Sequence, residues 1–577
     1  MNPPLVLLAN PEGGLYRFRD PVRVVTAARL AEVPAAVAAV EAAVAAEGLH
    51  AAGFVSYEAG PAFDAALAAH PADDFPLVWF GLFRERESVP LPPPGELPGL
   101  GWQADLTRAV YREAIGRVRR YIAEGDTYQV NYTLRLRAAF AGDPEALFAR
   151  LAAAQECAYS AYVDTGRFVL CSASPEMFFV QAGDTIRSRP MKGTRPRGPN
   201  LAEDQRQRDE LLASEKDRAE NVMIVDMVRN DLGRIAEPGS VTVEELFVPE
   251  AYPTVWQLTS QVAARTKAGF GRILGALFPP ASITGAPKAR TTEIIRELEP
   301  SPRHVYTGTI GWLGPEGARF NVAIRTVLLD RASGQAEYGV GGGIVWDSDA
   351  EAEWDECLAK SRVLRTVRPS FSLLESLLWT PAEGYALLDR HLDRLRDSAR
   401  YFGRPLDLDA VRRKLADLAA GLAPAPHKAR LLVDRQGGIT AEASPLEPAP
   451  EPLVWNVRVH PAPVDSRDPF LYHKTTHRTV YTQAAAAHPD CDDVILQNER
   501  GELTESCRAN LVVETAEGRF TPPVACGLLA GTQRAEALAR GEIAERVLVP
   551  ADLAAARRVF LINSVRGWVE ARLLPPI

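Results

Sequence analysis

The chain of 577 residues is poor in cysteine and in long uncharged apolar runs, and each scarcity excludes a class of protein. Its six cysteines stand singly, without the C-x-x-C spacing of many zinc and redox sites or the density of a disulfide-built domain. No basic segment opens the sequence, and the longest alanine-rich stretch, PAAVAAVEAAVAAEG, contains two glutamates. We therefore expect a cytoplasmic protein that does not engage a membrane.

Positive charge is also in deficit, with 65 basic against 74 acidic residues. The formal net charge of -9 and the absence of a basic stripe argue against a nucleic-acid partner. Lysine is the scarcer cation, because eight lysines stand against 57 arginines. A lysine amine can lose its proton and act as a nucleophile, so each lysine is a candidate catalytic residue, although a surface position is the ordinary explanation for Lys267, Lys414 and Lys428.

The length allows roughly three to four domain-sized units. Residues 86–101 are rich in proline and predict a loop, and a helical stretch gives way to a fresh strand pattern near residues 367–370. Strands and helices alternate on both sides of this break, and residues 203–235 and 350–366 are predicted helical. We expect a mixed α and β fold with two functional domains, 1–368 (core at about 102–367) and 369–577.

Five segments of the first region carry candidate chemistry. The first two, SASPEMFF and SRPMKGTRPRG, place Glu176 and Lys192 on what we predict to be adjacent strands, where an ordinary salt bridge would explain them in isolation. Two predicted helices, LLASEKDRAENVMIVDMVRNDLGR and DSDAEAEWDECLAKS, each carry a carboxylate pair on one face. A solvated acidic face is the usual explanation of either helix alone, but two such pairs also suit Mg²⁺.

Together with FPPASITGAPKARTTEIIRELEP, VYTGTIGW, NVAIRTVLLD and YGVGGGIVW, these segments resemble the chorismate-utilising enzymes, which include anthranilate, aminodeoxychorismate, isochorismate and salicylate synthases. The resemblance runs from about Gly125 to Val367. It implies an α/β sandwich of antiparallel sheets and a Mg²⁺ ion that joins protein carboxylates to chorismate. The implied principal metal ligands are Glu220 and Glu356, with Asp217 and Glu353 acting through water. The implied substrate-binding residues are Tyr306, Arg325, Gly343 and Thr284.

Position 192 separates the subfamilies within this resemblance. Anthranilate synthases have alanine in the P-I-A-G-T motif and aminodeoxychorismate synthases have lysine, and this chain reads Pro-Met-Lys-Gly-Thr at residues 190–194. The resemblance implies that Lys192 adds at C2 of chorismate as the C4 hydroxyl leaves, and that ammonia then adds at C4 and expels the lysine. Glu176 would be the acid that assists departure of the hydroxyl.

After residue 370, FLYHKTTHRTVY contains Lys474 and DVILQNERGELTESCRANLVV contains Glu505. With RHLDRLRDSARYFG, GLLAGTQR and LINSVRGW, these segments resemble fold-type IV pyridoxal-phosphate enzymes, although the usual longer opening strand segment is missing. The resemblance implies that Lys474 holds the cofactor as a Schiff base and that Glu505 keeps the pyridinium nitrogen protonated. Arg394 would pair with the phosphate, unless it forms a helix-surface salt bridge with Asp393 or Asp397. The implied further phosphate donors are Thr532 and Ser564.

Both resemblances together predict a bifunctional enzyme that makes 4-aminobenzoate for folate. Chorismate and ammonia would give 4-amino-4-deoxychorismate, from which pyruvate is then eliminated. No glutaminase segment is visible, so ammonia is expected from solution or from a separate glutaminase subunit. The alternatives are an anthranilate synthase fused to a class IV aminotransferase and a regulatory pseudoenzyme that binds chorismate without converting it. An oligomer is possible, and the sequence leaves its size open.

Overall fold

The computed structural model describes residues 4–95, 97, 99–365, 368–447 and 453–575. The chain divides into two compact units, the first formed by Met1–Pro196 and Arg208–Arg368 and the second by Arg197–Gln207 and Pro369–Ile577. Thr366 and Val367, beside the predicted boundary, lie outside the described residues, as do Glu96 and Pro98 of the proline-rich segment. The assignment of two functional domains to 1–368 and 369–577 stays a prediction.

The first unit is built mainly of strands. In chain order they are β1 (Leu5–Ala9), β2 (Leu15–Arg19), β3 (Arg23–Ala27), β4 (His50–Val55), β5 (Val78–Phe83), β6 (Glu87–Val89), β7 (Gln103–Ala104), β8 (Gln129–Ala139), β9 (Tyr159–Asp164), β10 (Phe168–Ser174), β11 (Met177–Ala182), β12 (Thr185–Arg189), β13 (Met191–Pro196), β14 (Thr242–Ala251), β15 (Val255–Arg265), β16 (Gly285–Ala286), β17 (Thr309–Gly314), β18 (Gly317–Val322), β19 (Thr326–Asp330) and β20 (Gln335–Ile344).

Helices are inserted between these strands. They are α1 (Val33–Glu47), α2 (Gly60–Phe63), α3 (Arg108–Ala123), α4 (Pro144–Gln155), α5 (Leu201–Ala213), α6 (Glu215–Gly233), α7 (Phe270–Leu277), α8 (Lys288–Leu298) and α9 (Ala350–Ser361). The predicted helix over 203–235 is therefore two helices. The break falls at Ser214, whose hydroxyl accepts a hydrogen bond from the Asp217 amide at 3.3 Å and so caps the start of α6.

Two ten-stranded antiparallel sheets organise the first unit. One has the order β16-β8-β20-β19-β10-β9-β1-β2-β6, with β7 beside β8, and the other has the order β13-β15-β12-β11-β18-β17-β4-β5-β3, with β14 beside β15. Apolar side chains of both sheets, such as Val6, Phe54, Phe83 and Val163, share one core. Two further cores pack α1, α6 and α7 on one sheet and α3, α4, α8 and α9 on the other. The expected α/β sandwich of antiparallel sheets is confirmed.

A buried carboxylate connects several of these elements. Glu299, directly after α8, accepts hydrogen bonds from Arg303 Nη2 at 2.6 Å and from Arg135 Nη2 at 3.2 Å, and it also accepts bonds from the amide and hydroxyl of Thr133 in β8. Burial alone would raise the pKa of Glu299, but Arg303 and Arg135 outweigh burial and lower it. Arg303 also donates through its backbone to Glu58 at 2.7 Å. The ion cluster therefore ties α8, β8 and the 57–59 turn together.

The second unit adds β21 (Leu373–Thr380), β22 (Gly384–Tyr385), β23 (His427–Val433), β24 (Ile439–Pro445), β25 (Val454–Val459), β26 (Asp493–Gln497), β27 (Leu503–Ser506), β28 (Asn510–Glu514), β29 (Arg519–Thr521), β30 (Ala544–Glu545), β31 (Arg558–Asn563) and β32 (Gly567–Leu573). Its remaining helices are α10 (Leu388–Tyr401), α11 (Leu408–Ala420), α12 (Thr479–Ala487), α13 (Thr532–Ala539) and α14 (Pro550–Ala554).

These strands form a four-stranded sheet, β22-β21-β23-β24, and an eight-stranded sheet, β27-β26-β25-β32-β31-β28-β29-β30. The larger sheet is mixed, because β25 runs parallel to both β26 and β32. Within the second unit, Arg197 pairs with Asp204 at 2.5 Å and the Tyr401 hydroxyl donates to the Gly198 carbonyl at 2.8 Å. Across the described ranges, no helix is long and apolar enough to cross a membrane.

The Glu299 cluster predicts a large stability loss when one partner is removed. We expect Arg303→Leu to lower the free energy of unfolding by about 3–5 kcal/mol, because the buried carboxylate keeps its charge and loses its closest cation. Urea denaturation followed by circular dichroism measures this change. Arg296→Leu, an exposed position on α8 three residues before Glu299, is the matched control, with an expected change within about 0.5 kcal/mol. Equal behaviour of the two variants would contradict the assigned role.

Candidate active sites

A cavity of about 300 Å³ in the first unit gathers most of the residues predicted from the sequence. Thr284 does not line it. The Thr284 hydroxyl lies 3.2 Å from the Pro280 carbonyl, while the neighbouring Ser282 and Ile283 do face the cavity. The predicted residues that line the cavity are Glu176, Lys192, Asp217, Glu220, Tyr306, Arg325, Gly343, Glu353 and Glu356.

Glu176 lies in the bend that precedes β11 and is 3% exposed. Burial raises the pKa of its carboxyl to about 7, against the opposing effects of a Ser282 hydrogen bond and the Lys192 charge. A carboxyl with this pKa still carries its proton in part of the population near neutral pH. Glu176 therefore has the property that a general acid needs.

Lys192 lies on β13, and the prediction that its strand is adjacent to that of Glu176 is wrong. In the sheet order, β15 and β12 separate β13 from β11. Pro190 interrupts the strand and separates β12 from β13, and these two strands pair with successive parts of β15. Because Met177 is paired with Arg189, Lys192 lies beyond the first residue of β11 rather than beside the strand, and the Glu176 and Lys192 side chains meet at the cavity.

The surroundings of Lys192 are close-packed and polar. Its amine lies 3.9 Å from Glu220 Oε2, and burial lowers its pKa against the opposing charge of Glu220. A Cβ built on Gly343 would lie 2.4 Å from Lys192 Nζ and 2.2 Å from Gln129 Nε2, so a side chain there would displace both of these groups. Gln129 is fully buried, and neither end of its carboxamide has a hydrogen-bond partner among the described residues. Buried polar groups in folded proteins are nearly all hydrogen-bonded, so a carboxamide without partners beside the cavity is available to a ligand or a water molecule.

The glycine-rich end of β20 also accommodates Tyr306. A Cβ on Gly339 would lie 2.2 Å from atoms of the Tyr306 ring, so a side chain there would displace the ring. Arg325 sits between β18 and β19 with φ of 50°, and this left-handed residue separates the two strands. Its guanidinium donates to Gln155 Oε1 in α4. Glycine spacing and a left-handed residue thus shape the cavity wall.

The four predicted metal carboxylates reach the cavity from α6 and α9. Each has a partner: Glu356 pairs with Lys360 at 2.8 Å, Glu353 accepts from Ser348 at 2.7 Å, Asp217 lies 3.5 Å from Arg195, and Glu220 lies near Lys192. No group of three or more His, Cys, Asp or Glu side chains in the described part of the chain is close enough to hold a metal ion. The donors fit Mg²⁺ in kind, as hard oxygens around one cavity, but not in their present spacing.

Lys360 also lines the cavity, and it is not among the residues predicted from the sequence. Burial alone would lower its pKa, but the Glu356 carboxylate outweighs burial and raises it. Its amine also donates to the Gly341 carbonyl at 2.8 Å. Lys360 therefore joins α9 to the glycine strand and supplies a fixed positive charge to the cavity.

A second candidate site lies in the second unit around Lys474 and Glu505. Lys474 is half-buried, its side chain makes no ion pair with any described residue, and burial, helped by the Arg394 charge, lowers its pKa to about 8. Glu505 in β27 accepts from the Tyr481 hydroxyl at 2.8 Å and from Asn510 Nδ2 at 3.1 Å. Burial raises the pKa of Glu505 to about 7.

Arg394 does not form the helix-surface pair that its sequence neighbours allowed. Asp393 pairs with Arg396, and Arg394 donates instead to the buried Glu375 on β21. Thr532 begins α13 and is 4% exposed, and its hydroxyl lies 3.3 Å from His391 Nε2. Ser564 lies half-buried in the turn between β31 and β32 and takes part in none of these contacts.

These residues fit pyridoxal phosphate. The Lys474 amine is uncommitted, and the charges of Arg394, Glu375 and Glu505 all act on its pKa, so the four groups lie near one another. The buried Thr504 hydroxyl beside Glu505 has no hydrogen-bond partner among the described residues. A buried acid, an uncommitted amine and a half-buried guanidinium are the donor set that a pyridine ring, an aldehyde and a phosphate require.

Comparison with known families agrees with this geometry. The profile of the chorismate binding enzyme family matches residues 6–366, and that of the class IV aminotransferases matches residues 372–574. Anthranilate synthase component 1 of Streptomyces coelicolor is 44% identical over 271 residues, which are 46% of this chain and 52% of that protein. Aminodeoxychorismate synthase component 1 of Escherichia coli is 44% identical over 267 residues, which are 46% of this chain and 59% of that protein.

The chain thus matches between half and three-fifths of the length of these relatives. Among solved structures, anthranilate synthase component I from Streptococcus pneumoniae is similar in fold, with a TM-score of 0.52 at 24% identity, over 63% of this chain and 91% of that chain. The family match covers more than half of the sequence. The chain therefore belongs to the chorismate binding enzyme family and carries a second region that matches the class IV aminotransferases.

Proposed function

We propose that the chain makes 4-aminobenzoate in two steps, amination of chorismate in the first unit and elimination of pyruvate in the second. The observation that carries this proposal is the meeting of Lys192 and Glu176 in one cavity of the first unit. A binding protein for chorismate needs neither a buried amine nor a buried acid at that point. Incubation with chorismate, Mg²⁺, ammonium and pyridoxal phosphate, followed by identification of the aromatic product, tests it.

In the first step, the Lys192 amine adds at C2 of chorismate while the C4 hydroxyl leaves as water with the proton that Glu176 donates. Ammonia then adds at C4 and expels the Lys192 amine from C2. Arg325 and Tyr306, which line the cavity, would hold the substrate carboxylates, Arg325 by charge-assisted hydrogen bonds. Glu220 and Glu356, supported by Asp217 and Glu353, would hold Mg²⁺, which would neutralise a substrate carboxylate.

An anthranilate synthase is the competing assignment, and one relative of equal identity carries that name. Lysine at position 192 favours amination at C4, because the amine occupies C2 during the reaction and directs ammonia to the other carbon. Anthranilate as the product would overturn this choice. The source of ammonia is proposed to be solution or a separate glutaminase subunit, consistent with the component 1 names of the relatives.

In the second step, pyridoxal phosphate would supply an electron sink bound to the amino group of aminodeoxychorismate. Arg394 and Thr532 would hold its phosphate, and Glu505 would hold a proton at its ring nitrogen. Lys474 would move the proton at the amine-bearing ring carbon. Loss of that proton permits pyruvate to leave and the ring to become aromatic.

Lys192→Ala should abolish formation of 4-aminobenzoate from chorismate and leave conversion of supplied aminodeoxychorismate at the parental rate. The reason is that Lys192 and Lys474 belong to different units. Product analysis with each substrate measures both activities. Loss of both activities in a folded variant that binds pyridoxal phosphate would contradict the separation of the two reactions.

Chelation with EDTA should stop chorismate consumption, and added Mg²⁺ should restore it. The reason is that the Glu220 and Glu356 carboxylates would repel a substrate carboxylate unless a cation lies between them. Conversion of supplied aminodeoxychorismate in the same sample is the internal control and should continue. Full chorismate consumption in a sample shown to be free of metal would exclude the metal role of these carboxylates.

Lys474→Ala should remove the visible absorption band of the bound cofactor and stop release of pyruvate. Aminodeoxychorismate should then accumulate at close to the parental rate, because the residues of the first cavity are unchanged. Lys428→Ala, an exposed lysine in the same unit, is the matched control and should behave as the parent. Release of pyruvate at the parental rate by Lys474→Ala would remove this lysine from the mechanism.

A further inference from the structure

Glu375 is the most heavily engaged carboxylate of the second unit. It lies on β21 and is 1% exposed. Its Oε1 accepts from Arg394 Nε at 2.9 Å, and its Oε2 accepts from Arg394 Nη2 at 2.6 Å and from His391 Nδ1 at 2.7 Å. Burial alone would raise the pKa of Glu375, but Arg394 and His391 outweigh burial and lower it to about 2. The group is thus an ionised, fully enclosed acceptor of three hydrogen bonds.

Both residues that Glu375 binds lead to the candidate phosphate site. The Arg394 guanidinium donates from Nε and Nη2 to the Glu375 carboxylate, and its Nη1 lies 3.3 Å from the Ala530 carbonyl. His391 extends the network from its other nitrogen, where Nε2 lies 3.3 Å from the Thr532 hydroxyl. One carboxylate therefore fixes the positions of the two groups assigned to the phosphate.

The same segment is anchored to the opposite end of the site. The Leu529 amide donates to Glu505 Oε1 at 3.1 Å, and a Cβ on Gly531 would lie 1.8 Å from Asn510 Oδ1, so a side chain there would displace Asn510. Residues 529–532 therefore run from the acid assigned to the ring nitrogen to the start of α13. The first turn of a helix offers free amide groups to an anion, and Gly531 and Thr532 lie at this turn.

From these contacts we propose that Glu375 is a positioning residue for the phosphate of pyridoxal phosphate: it holds Arg394 and, through His391, Thr532 in the geometry that receives the anion. The inference rests on the proposed cofactor role of the second unit. Its consequence runs against simple electrostatics, because a buried negative charge beside a phosphate would by itself weaken binding of the anion.

The amide of Glu375→Gln separates these two effects. Glutamine has nearly the same shape, but its NH₂ group must face an N–H of Arg394 or His391, so at least one hydrogen bond is lost and two donors are opposed. Charge alone predicts tighter binding of pyridoxal phosphate to this variant. Positioning predicts a dissociation constant raised by about tenfold or more.

Titration of the full chain with pyridoxal phosphate and with pyridoxal, followed by absorbance, gives the measurement. Pyridoxal has the same ring and aldehyde and no phosphate, so its dissociation constant should change by less than about twofold in Glu375→Gln. Glu375→Asp keeps the buried charge and shortens its reach, and it should also weaken pyridoxal phosphate selectively. This second variant gives the answer if the first does not fold. Glu383→Gln, the same change at an exposed residue after β21, should match the parent.

Selective weakening of pyridoxal phosphate in either Glu375 variant supports the inference. Unchanged or tighter binding of pyridoxal phosphate overturns it, and so does an equal loss for both compounds, because that pattern reports a general structural defect. If the parental chain binds neither compound, the proposed function of the second unit fails, and the inference fails with it.

Discussion

The Glu299 carboxylate is the interaction on which the first unit depends most. Two guanidinium groups and one threonine satisfy it in an interior that excludes water, so charge and hydrogen bonding are both balanced. The same Arg135 lies 5.3 Å from the centre of the Tyr306 ring, which in turn packs against the glycine strand β20. A stability element and a cavity wall are therefore parts of one network. Loss of the ion cluster would therefore disturb the wall of the first cavity through Arg135 and Tyr306.

Both candidate sites combine an acid whose pKa burial raises with an amine that stands near it. In the first cavity this pair is Glu176 and Lys192, and in the second site it is Glu505 and Lys474. The two acids have different surroundings, because Glu505 is held by Tyr481 and Asn510 whereas Glu176 is opened to the cavity. An acid held by hydrogen bonds suits lasting contact with a bound group. An acid that faces the cavity suits donation of its proton to a substrate.

Sequence patterns predicted what depends on local spacing and missed what depends on pairing at a distance. The carboxylates of α6 and α9 follow from helical periodicity, and they face one cavity. The partner of Arg394 could not be predicted, because the neighbouring aspartates were equally good candidates until the fold brought Glu375 across from β21. The sequence analysis also did not identify Gln129, because a sequence does not show that a buried glutamine lacks hydrogen-bond partners. The break at Pro190 likewise depends on how two strands share β15.

The segment Arg197–Gln207 belongs to the second unit, although its sequence neighbours on both sides belong to the first. The units are therefore interleaved along the chain, and no single cut divides them. This segment leaves the ribosome long before the rest of the second unit has been synthesised. The second unit can therefore complete its fold only after the residues beyond 369 have been made. A fragment that starts at Pro369 would lack the Arg197–Asp204 pair and the acceptor of the Tyr401 hydroxyl. In gene-level terms, a stop codon at the boundary would leave Arg197–Gln207 with the first unit, and a start codon there would remove this segment from the second.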